Sequence, residues 1–353
     1  MTRRPAPAGT RARLVTALAA VCALTAGIGV WSALAEDEDR CAPDAALVAP
    51  CGAWWGAYIP YDEDSSLTRP VYAFEKKIGR RLDLVYTYHD MSGSEADGRL
   101  LTPDERELGR ERLLMLAWES TVWTKKHHAD WTERQLGWKN VAAGRYDASV
   151  IDPQARRIKE YGKRVFLSFD QEADFRVPEG AGTPEEYVAA YRHLHDRFAE
   201  LGVTNVVWVW TVSGWTGNAA RMKALYPGDA YVDWIGMDQY NYYLCHKSPD
   251  WLDFDRSQRP GYDWLRKNVS DDKPIMFSEF STAPDPERPG RQRDWYAAIP
   301  GVAPSLPDAR AYVHWNRAVP GPGCDLTVDS GPALDGYRTA GRDPYFRQPV
   351  PDR

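Results

Sequence analysis

Eight short apolar segments recur along the chain from Trp54 onward, and helical patterns separate them. The segments are rich in β-branched and aromatic residues and almost continuously apolar, as are strands that are buried on both faces. Eight strand–helix units in a chain of 353 residues predict an α/β fold of the (β/α)8 TIM barrel type rather than a doubly wound sheet. The predicted strands are 54–59, 82–88, 113–118, 165–169, 205–210, 234–240, 274–280 and 311–315.

The segments between these strands carry signals for helices and for long loops. Thr183-Pro184-Glu185-Glu186 is a capping box with proline at the first helical position, and Gly202 ends the helix that the box begins. Polar loops are predicted over 88–112 and 242–260, and in a barrel such loops build the binding cleft. Further helices are predicted over 71–78, 153–161, 218–225 and 264–268.

The first 35 residues have the pattern of a secretory signal peptide. Four arginines precede an apolar run from Leu14 to Trp31, and the A-x-A sequence at 33–35 is followed at once by acidic residues. The alternative is an uncleaved membrane anchor, because the run is nearly long enough to span a bilayer. We therefore expect a secreted or membrane-anchored protein. Its expected parts are the signal peptide at 1–35, an acidic leader at 36–50, one barrel domain at 51–342 and a tail at 343–353.

The cysteines support an exported protein. Cys22 lies within the predicted signal peptide, which leaves Cys41, Cys51, Cys245 and Cys324. An even number of cysteines in an exported protein predicts two disulfides, and three connectivities are possible. A zinc site is the alternative, but these cysteines lack C-x-x-C spacing, so no metal is expected. No glycine-rich nucleotide motif appears, and no cofactor is expected.

Charge and aromatic content narrow the choice of ligand. A formal net charge of -6 argues against nucleic acid as a partner. The 15 Trp and 19 Tyr fit either the binding of sugar rings or simply a large aromatic core. We expect a monomer with no obligate protein partner.

Two glutamates stand where predicted strands meet the cleft. The fourth strand runs into Asp170-Gln171-Glu172, and Glu279 lies at the end of the seventh. Two carboxyl groups facing each other across a cleft are what glycosidic cleavage requires, because one protonates the leaving oxygen while the other attacks the anomeric carbon or activates water. The alternative is that either glutamate is a structural ion-pair partner at a strand end.

Several stretches, taken in order, resemble glycoside hydrolase family 26, a β-mannanase-like family of retaining (β/α)8 glycosidases. The resemblance covers about residues 52–340, and the order and spacing of the stretches carry it. They include GAYIP at 56–60, FEKKIG at 74–79, GRYD at 144–147, YGKRVFL at 161–167, WVW at 208–210, DQYN at 238–241 and SEF at 278–280.

The resemblance implies a role for individual residues. Glu172 would be the general acid/base and Glu279 the nucleophile. Tyr240 resembles the tyrosine that hydrogen-bonds the nucleophile, and Trp315 resembles the aromatic platform beneath the sugar. The implied activity is that of an endo-acting mannan β-1,4-mannosidase, whose partner is a β-linked polysaccharide or oligosaccharide.

The acid/base segment departs from the family pattern. Members carry His-Glu-Met-Asn-Gly, whereas this chain has Gln171-Glu172-Ala173-Asp174-Phe175. An amide still hydrogen-bonds a sugar hydroxyl but cannot titrate. The departure leaves two alternatives open: another β-glycanase such as a β-glucanase, and a catalytically inactive carbohydrate-binding barrel. The remaining candidates for sugar contact are Gln171, Phe175, His89 and Trp215.

Overall fold

Eight parallel strands close into a barrel in the order β1-β10-β9-β8-β7-β6-β3-β2. The computed structural model describes residues 41–61, 66–94, 98–124 and 133–351. Each predicted strand is confirmed, and a short antiparallel hairpin, β4–β5, is added after β3. The strands are β1 (Trp54–Tyr58), β2 (Leu84–Asp90), β3 (Leu113–Glu119), β4 (Thr121–Trp123), β5 (Glu133–Gln135), β6 (Val165–Phe169), β7 (Val206–Val212), β8 (Trp234–Asn241), β9 (Ile275–Thr282) and β10 (Ala309–Trp315).

Helices surround the barrel, and two of them lie within segments predicted as loops. The loop predicted over 88–112 contains α2, which the capping box of Thr102 and Glu105 begins. The loop predicted over 242–260 ends early, because α8 starts at Phe254 and continues through Pro260. The α-helices are α1 (Thr68–Ile78), α2 (Pro103–Leu108), α3 (Trp138–Ala142), α4 (Asp152–Tyr161), α5 (Ala173–Arg176), α6 (Pro184–Glu200), α7 (Ala219–Ala224), α8 (Phe254–Asn268), α9 (Gly290–Ala297), α10 (Ile299–Val302) and α11 (Gly331–Gly341).

The apolar side chains form an inner and an outer core. Large side chains such as Trp54, Phe166 and Trp234 fill the inside of the barrel, so the barrel is a packed core rather than a pore. The outward-facing side chains of the same strands pack against the helices. Acidic and hydroxyl side chains, among them Asp238, Tyr240 and Glu279, lie at the mouth formed by the carboxyl ends of the strands.

Residues 41–50 close the opposite end of the barrel. The Trp54 indole donates to the carbonyl of Leu47 (2.7 Å), and the Trp234 indole donates to that of Ala46 (2.6 Å). Leu47 is 3% exposed and packs with the inner core, and the Cys41–Cys51 disulfide closes the segment on itself. We call residues 41–50 the plug.

The plug is expected to stabilise the barrel. Leu47→Ala should lower the free energy of unfolding by about 2–5 kcal/mol, because a buried leucine is lost without a replacement. Leu244→Ala is the matched control, since Leu244 is 47% exposed and should change stability by no more than about 0.5 kcal/mol. Urea denaturation measures both. Equal stability of the two variants would show that the plug contributes nothing to the core.

The rest of the chain beyond the last helix also packs on the barrel. The Phe346 ring lies 4.7 Å from Trp55 and 5.1 Å from Tyr312, measured between ring centroids. At the other end of the barrel, the Cys245–Cys324 disulfide joins the loops that follow β8 and β10. No helix of the described residues has the length and apolar character needed to cross a bilayer. The predicted signal peptide lies outside those residues.

Candidate active site

Glu279 lies near the carboxyl end of β9, and tyrosines hold both of its oxygens. Tyr240, from the neighbouring β8, donates its hydroxyl to Oε2, and Tyr88, from β2, donates to Oε1. The glutamate is only 8% exposed. Two donated hydrogen bonds favour the ionised carboxylate and fix its orientation.

Glu172 follows β6 in a turn with unusual backbone geometry. Its φ is 53° and that of Asp170 is 44°, so both residues adopt the left-handed conformation that side chains other than glycine avoid. Such positions cost about 1–3 kcal/mol each and concentrate at functional sites. The Asp170 carboxylate anchors the turn by accepting from the Ser120 amide (2.8 Å) and the Trp138 indole (2.6 Å).

The two glutamates share one desolvated site, which raises both of their pKa values. Burial raises the pKa of Glu279 to about 7, while the hydrogen bonds from Tyr240 and Tyr88 oppose that rise. Burial raises the pKa of Glu172 well above its usual range, and the negative charges of Glu279 and Asp174 raise it further. The two tyrosine hydrogen bonds therefore favour ionisation of Glu279 over ionisation of Glu172.

A third carboxyl group lies directly below this pair. Asp238 occupies the inward-facing position of β8 that precedes Tyr240 and is 2% exposed. Burial, followed by the charges of Glu279 and Glu172, raises its pKa well above the usual range. Three adjacent acids in a low-dielectric site cannot all ionise, so Asp238 is expected to remain protonated when Glu279 is charged.

Gln171 hydrogen-bonds an ion pair at the carboxyl end of β3. Its amide nitrogen donates to the Glu119 carboxylate, which also binds the Arg176 guanidinium (2.9 Å) and the Trp123 indole (3.1 Å). The Gln171 side chain is buried, and its amide oxygen has no hydrogen-bond partner within the described part of the chain. Gln171 is thus held at the mouth beside the acid/base candidate by its bond to Glu119.

Aromatic side chains lie on both sides of the glutamates. Trp315, at the end of β10, stacks on Tyr58 with 5.9 Å between ring centroids and meets Tyr240 edge-on at 6.1 Å. On the Glu172 side, Phe175 and Trp215 stack at 6.3 Å with only 11° between their planes, although they are 41% and 53% exposed. Two large aromatic rings that are exposed and lie nearly parallel are unusual on a protein surface. Such rings can stack on the flat face of a sugar.

His89 is the predicted site residue that the structure does not bring to the cleft. Its ring is buried on the outer side of β2, where Nε2 lies 2.7 Å from the Glu105 carboxylate of α2. Side chains alternate along a strand, so Tyr88, the residue before His89, faces inward, and His89 does not reach the cleft where sugar contact was predicted. The alternation of Leu84, Tyr86 and Tyr88 is visible in the sequence and predicts that Tyr88 faces the inside of the barrel.

One group of potential metal ligands is present among the described residues. It consists of Cys245, His246 and Cys324, whose ligand atoms lie within 4.8 Å of one another. The two cysteines are joined as a disulfide, and a disulfide offers no thiolate to a metal. This cluster is therefore a cross-link between loops rather than a metal centre.

Comparison with curated sequences identifies relatives that share part of their length with this chain. Endoglucanase H of Acetivibrio thermocellus is 29% identical over 299 residues, which cover 81% of this chain and 30% of that protein. A beta-1,3-xylanase of a Vibrio species is 30% identical over 145 residues, which cover 40% of this chain and 28% of that protein. The chain thus spans less than a third of the length of either relative.

Solved structures share the fold. A ruminal GH26 endo-beta-1,4-mannanase superimposes with a TM-score of 0.57 at 15% identity, covering 83% of this chain and 64% of that one. A beta-mannanase from a symbiotic protist of the termite Reticulitermes speratus gives 0.56 at 16% identity, covering 84% and 88%. Residues 175–254 match the model of glycosyl hydrolase family 26, and the chain as a whole has the (β/α)8 fold of these solved structures.

Proposed function

We propose that this protein hydrolyses β-linked glycans with retention of configuration, using Glu172 as general acid/base and Glu279 as nucleophile. The observation that carries the proposal is the difference in environment between the two carboxyl groups. One is held by two tyrosine hydroxyls and loses its proton first, and the other keeps its proton in the same desolvated site. Acid/base assignments in glycosidases follow from such a difference in environment.

The reaction proceeds in two displacements. Protonated Glu172 gives its proton to the glycosidic oxygen while the Glu279 carboxylate attacks the anomeric carbon, which releases the leaving sugar and forms a glycosyl-enzyme ester. Glu172, now ionised, takes a proton from water, and the resulting hydroxide displaces Glu279 from the anomeric carbon. Glu172 is thereby protonated again and Glu279 is again a carboxylate.

The aromatic side chains are assigned to substrate binding. Trp315, packed against Tyr58 and Tyr240, provides a platform beside Glu279 for the sugar that is attacked. The exposed Phe175–Trp215 stack lies beside Glu172, the residue that protonates the leaving group. We therefore assign this stack to the leaving-group side of the cleft.

Two polysaccharides are proposed as substrates, in order of preference. The family resemblance favours a β-1,4-mannan, cleaved within the chain, and solved fold neighbours are mannanases by name. A β-glucan is the second candidate, because Endoglucanase H aligns with 81% of this chain and because Gln171 replaces the family histidine. The beta-1,3-xylanases add β-1,3-xylan to the polymers that need testing.

Release of reducing sugar from a panel of polymers tests the function. The panel consists of mannan, glucomannan, galactomannan, mixed-linkage glucan, β-1,4-xylan and β-1,3-xylan, each incubated with wild type and with Glu279→Gln. We expect hydrolysis of at least one polymer, lost in the variant, and retention of configuration in the first product seen by NMR. Oligosaccharide binding by calorimetry without any product would instead identify a binding barrel.

Tyr88 provides a prediction for pH dependence. Hydrolysis needs Glu279 ionised, so activity should fall as pH drops below the pKa of about 7, and on the alkaline side it should fall when Glu172 loses its proton. Tyr88→Phe removes a hydrogen bond that lowers the pKa of Glu279, so the acidic limb of kcat/KM should move up by about one pH unit. A limb that stays in place would exclude Tyr88 as a partner of the nucleophile.

We further propose export of the protein to an oxidising compartment. Both pairs of cysteines outside the predicted signal peptide are disulfide-bonded, and stable disulfides form in such compartments. The expected product begins at Glu36 after cleavage of the signal peptide. Intact mass of the exported protein decides between cleavage and a retained anchor at residues 14–35.

A further inference from the structure

A cavity of about 800 Å³ opens at the end of the barrel opposite the catalytic glutamates. Leu113, the first residue of β3, lines it, whereas Glu119, the last residue of that strand, belongs to the active-site mouth. Seven residues of strand separate the two ends by about 20 Å. The cavity is therefore a separate site, bounded by the plug, by the turn after α2 and by the turn before β6.

The cavity is strongly basic in a protein whose formal net charge is -6. Arg106, Arg110, Arg112, Lys163 and Arg164 line it, and Asp44 is the one acidic residue among the described residues of its wall. The Asp44 carboxylate is already engaged, since it accepts from the backbone amides of Ala46 (2.9 Å) and Val48 (2.8 Å). The aspartate thus caps the plug rather than neutralising the cations.

Backbone carbonyls, which carry no net charge, hold most of these cations in place. Lys163 donates to the carbonyls of Gly109 (3.0 Å) and Arg110 (2.9 Å), and Arg164 donates to that of Ala45. Arg106 donates to the carbonyls of Leu101 (3.1 Å) and Arg157 (3.3 Å) and stacks on Tyr161. These contacts orient the charges and leave them uncompensated.

Arg112, unlike the other cations of the cavity, is neutralised by a carboxylate. Its guanidinium forms a two-pronged pair with the Glu75 carboxylate, with both distances 2.7 Å. Arg110 is exposed, and within the described structure no carboxylate pairs with its side chain. Four cations therefore converge on one volume in which Asp44 is the one acidic side chain of the described wall, so a net positive potential is concentrated there.

We propose that this cavity binds a phosphate-bearing anion, which makes it a second binding site independent of the glycan cleft. A single carboxylate would neutralise only one of the four unmatched cations, whereas a chain of phosphate groups matches several. Arginine forks and a lysine ammonium are the donors that bind phosphate oxygens. The volume holds more than one phosphate group, so the ligand is an oligophosphate or a phosphate-linked polymer segment rather than a lone ion.

Calorimetric titration of the full secreted chain tests this site. Tripolyphosphate is the main probe, inorganic phosphate tests whether one group suffices, and polygalacturonate tests a carboxylate polymer. We expect tripolyphosphate to bind more tightly than the other two, with an affinity that falls as salt is added. Arg110→Glu and Arg164→Glu should each weaken binding by roughly tenfold or more.

Matched variants and hydrolysis assays separate this proposal from the proposed catalytic function. Arg293→Glu makes the same charge change on the exposed surface of α9 and should leave tripolyphosphate affinity unchanged. Glu279→Gln should abolish hydrolysis and still bind tripolyphosphate, while Arg110→Glu should hydrolyse soluble glycan normally. Inorganic phosphate that binds as tightly as tripolyphosphate would keep the anion site but overturn the oligophosphate. No binding of tripolyphosphate, equal weakening by Arg293→Glu, or tighter binding of polygalacturonate would overturn the proposal.

Discussion

Glu279→Gln is expected to reduce hydrolysis by several orders of magnitude while the barrel remains folded. Glutamine has nearly the same shape as glutamate, and its amide oxygen accepts from one of the two tyrosine hydroxyls while its amide nitrogen donates to the other, but an amide cannot form the glycosyl ester. The loss should be the same for a polymer and for an activated aryl glycoside, because both need the nucleophile. Turnover close to wild type would remove Glu279 from the mechanism.

The same variant should be at least as stable as wild type at alkaline pH. The folded-state pKa of Glu279 is raised to about 7, so the native protein binds this proton more tightly than the unfolded chain does. Ionising the group between the unfolded pKa and pH 7 therefore lowers stability, and glutamine removes that cost. Thermal unfolding at pH 8 measures the effect, and a clear fall in Tm would mean that the lost activity reflects damaged folding.

Glu172→Gln is expected to give a loss that depends on the leaving group. Proton donation contributes roughly 10²–10⁴-fold, so hydrolysis of a glycan, whose leaving group needs the proton, should fall by about that factor. Formation of the glycosyl-enzyme from a dinitrophenyl glycoside should persist, because dinitrophenolate leaves without protonation. Added azide should then restore turnover, since an anionic nucleophile needs no general base.

Comparison of the two variants assigns the two roles. Glu279→Gln should not form a glycosyl-enzyme with the dinitrophenyl glycoside, whereas Glu172→Gln should accumulate it and show a burst of released phenol. Mass spectrometry of the quenched proteins detects the covalent sugar. A burst in Glu279→Gln and none in Glu172→Gln would reverse the assignment.

Sequence periodicity was sufficient to predict the barrel. Each strand is a run of apolar residues long enough to be buried on both faces, and neither the order of the runs nor their spacing fits another α/β arrangement. The two helices placed in predicted loops were missed for local reasons. The six residues of α2 are too few to show a helical period, and Pro260 was taken as the end of a loop although it lies within α8.

The candidate site was predicted less completely, because contacts across a barrel leave no local signal. Glu172 and Glu279 follow from their places at strand ends, and Tyr240 from the family resemblance. The alternation of side chains along β2 places Tyr88 inward, but its contact with a glutamate 191 residues away in sequence depends on the closed barrel. The place of Gln171 in the family motif suggests sugar contact, whereas its hydrogen bond to Glu119, on another strand, has no signal near it in the sequence.

The Cys245–Cys324 disulfide cross-links one wall of the mouth and leaves the other wall without a covalent link. The loops after β8 and β10, which flank Tyr240 and Trp315, are joined covalently, so the nucleophile and its platform sit on a cross-linked wall. The turn that carries Glu172 has no such bond and depends on the charges of Asp170, Arg176 and Glu119. Of the two walls of the mouth, a reductant should therefore loosen only the one that carries the nucleophile. It should also open the Cys41–Cys51 bond at the other end of the barrel. The Glu172 wall should keep its geometry under reduction, because buried opposite charges rather than a covalent bond hold it.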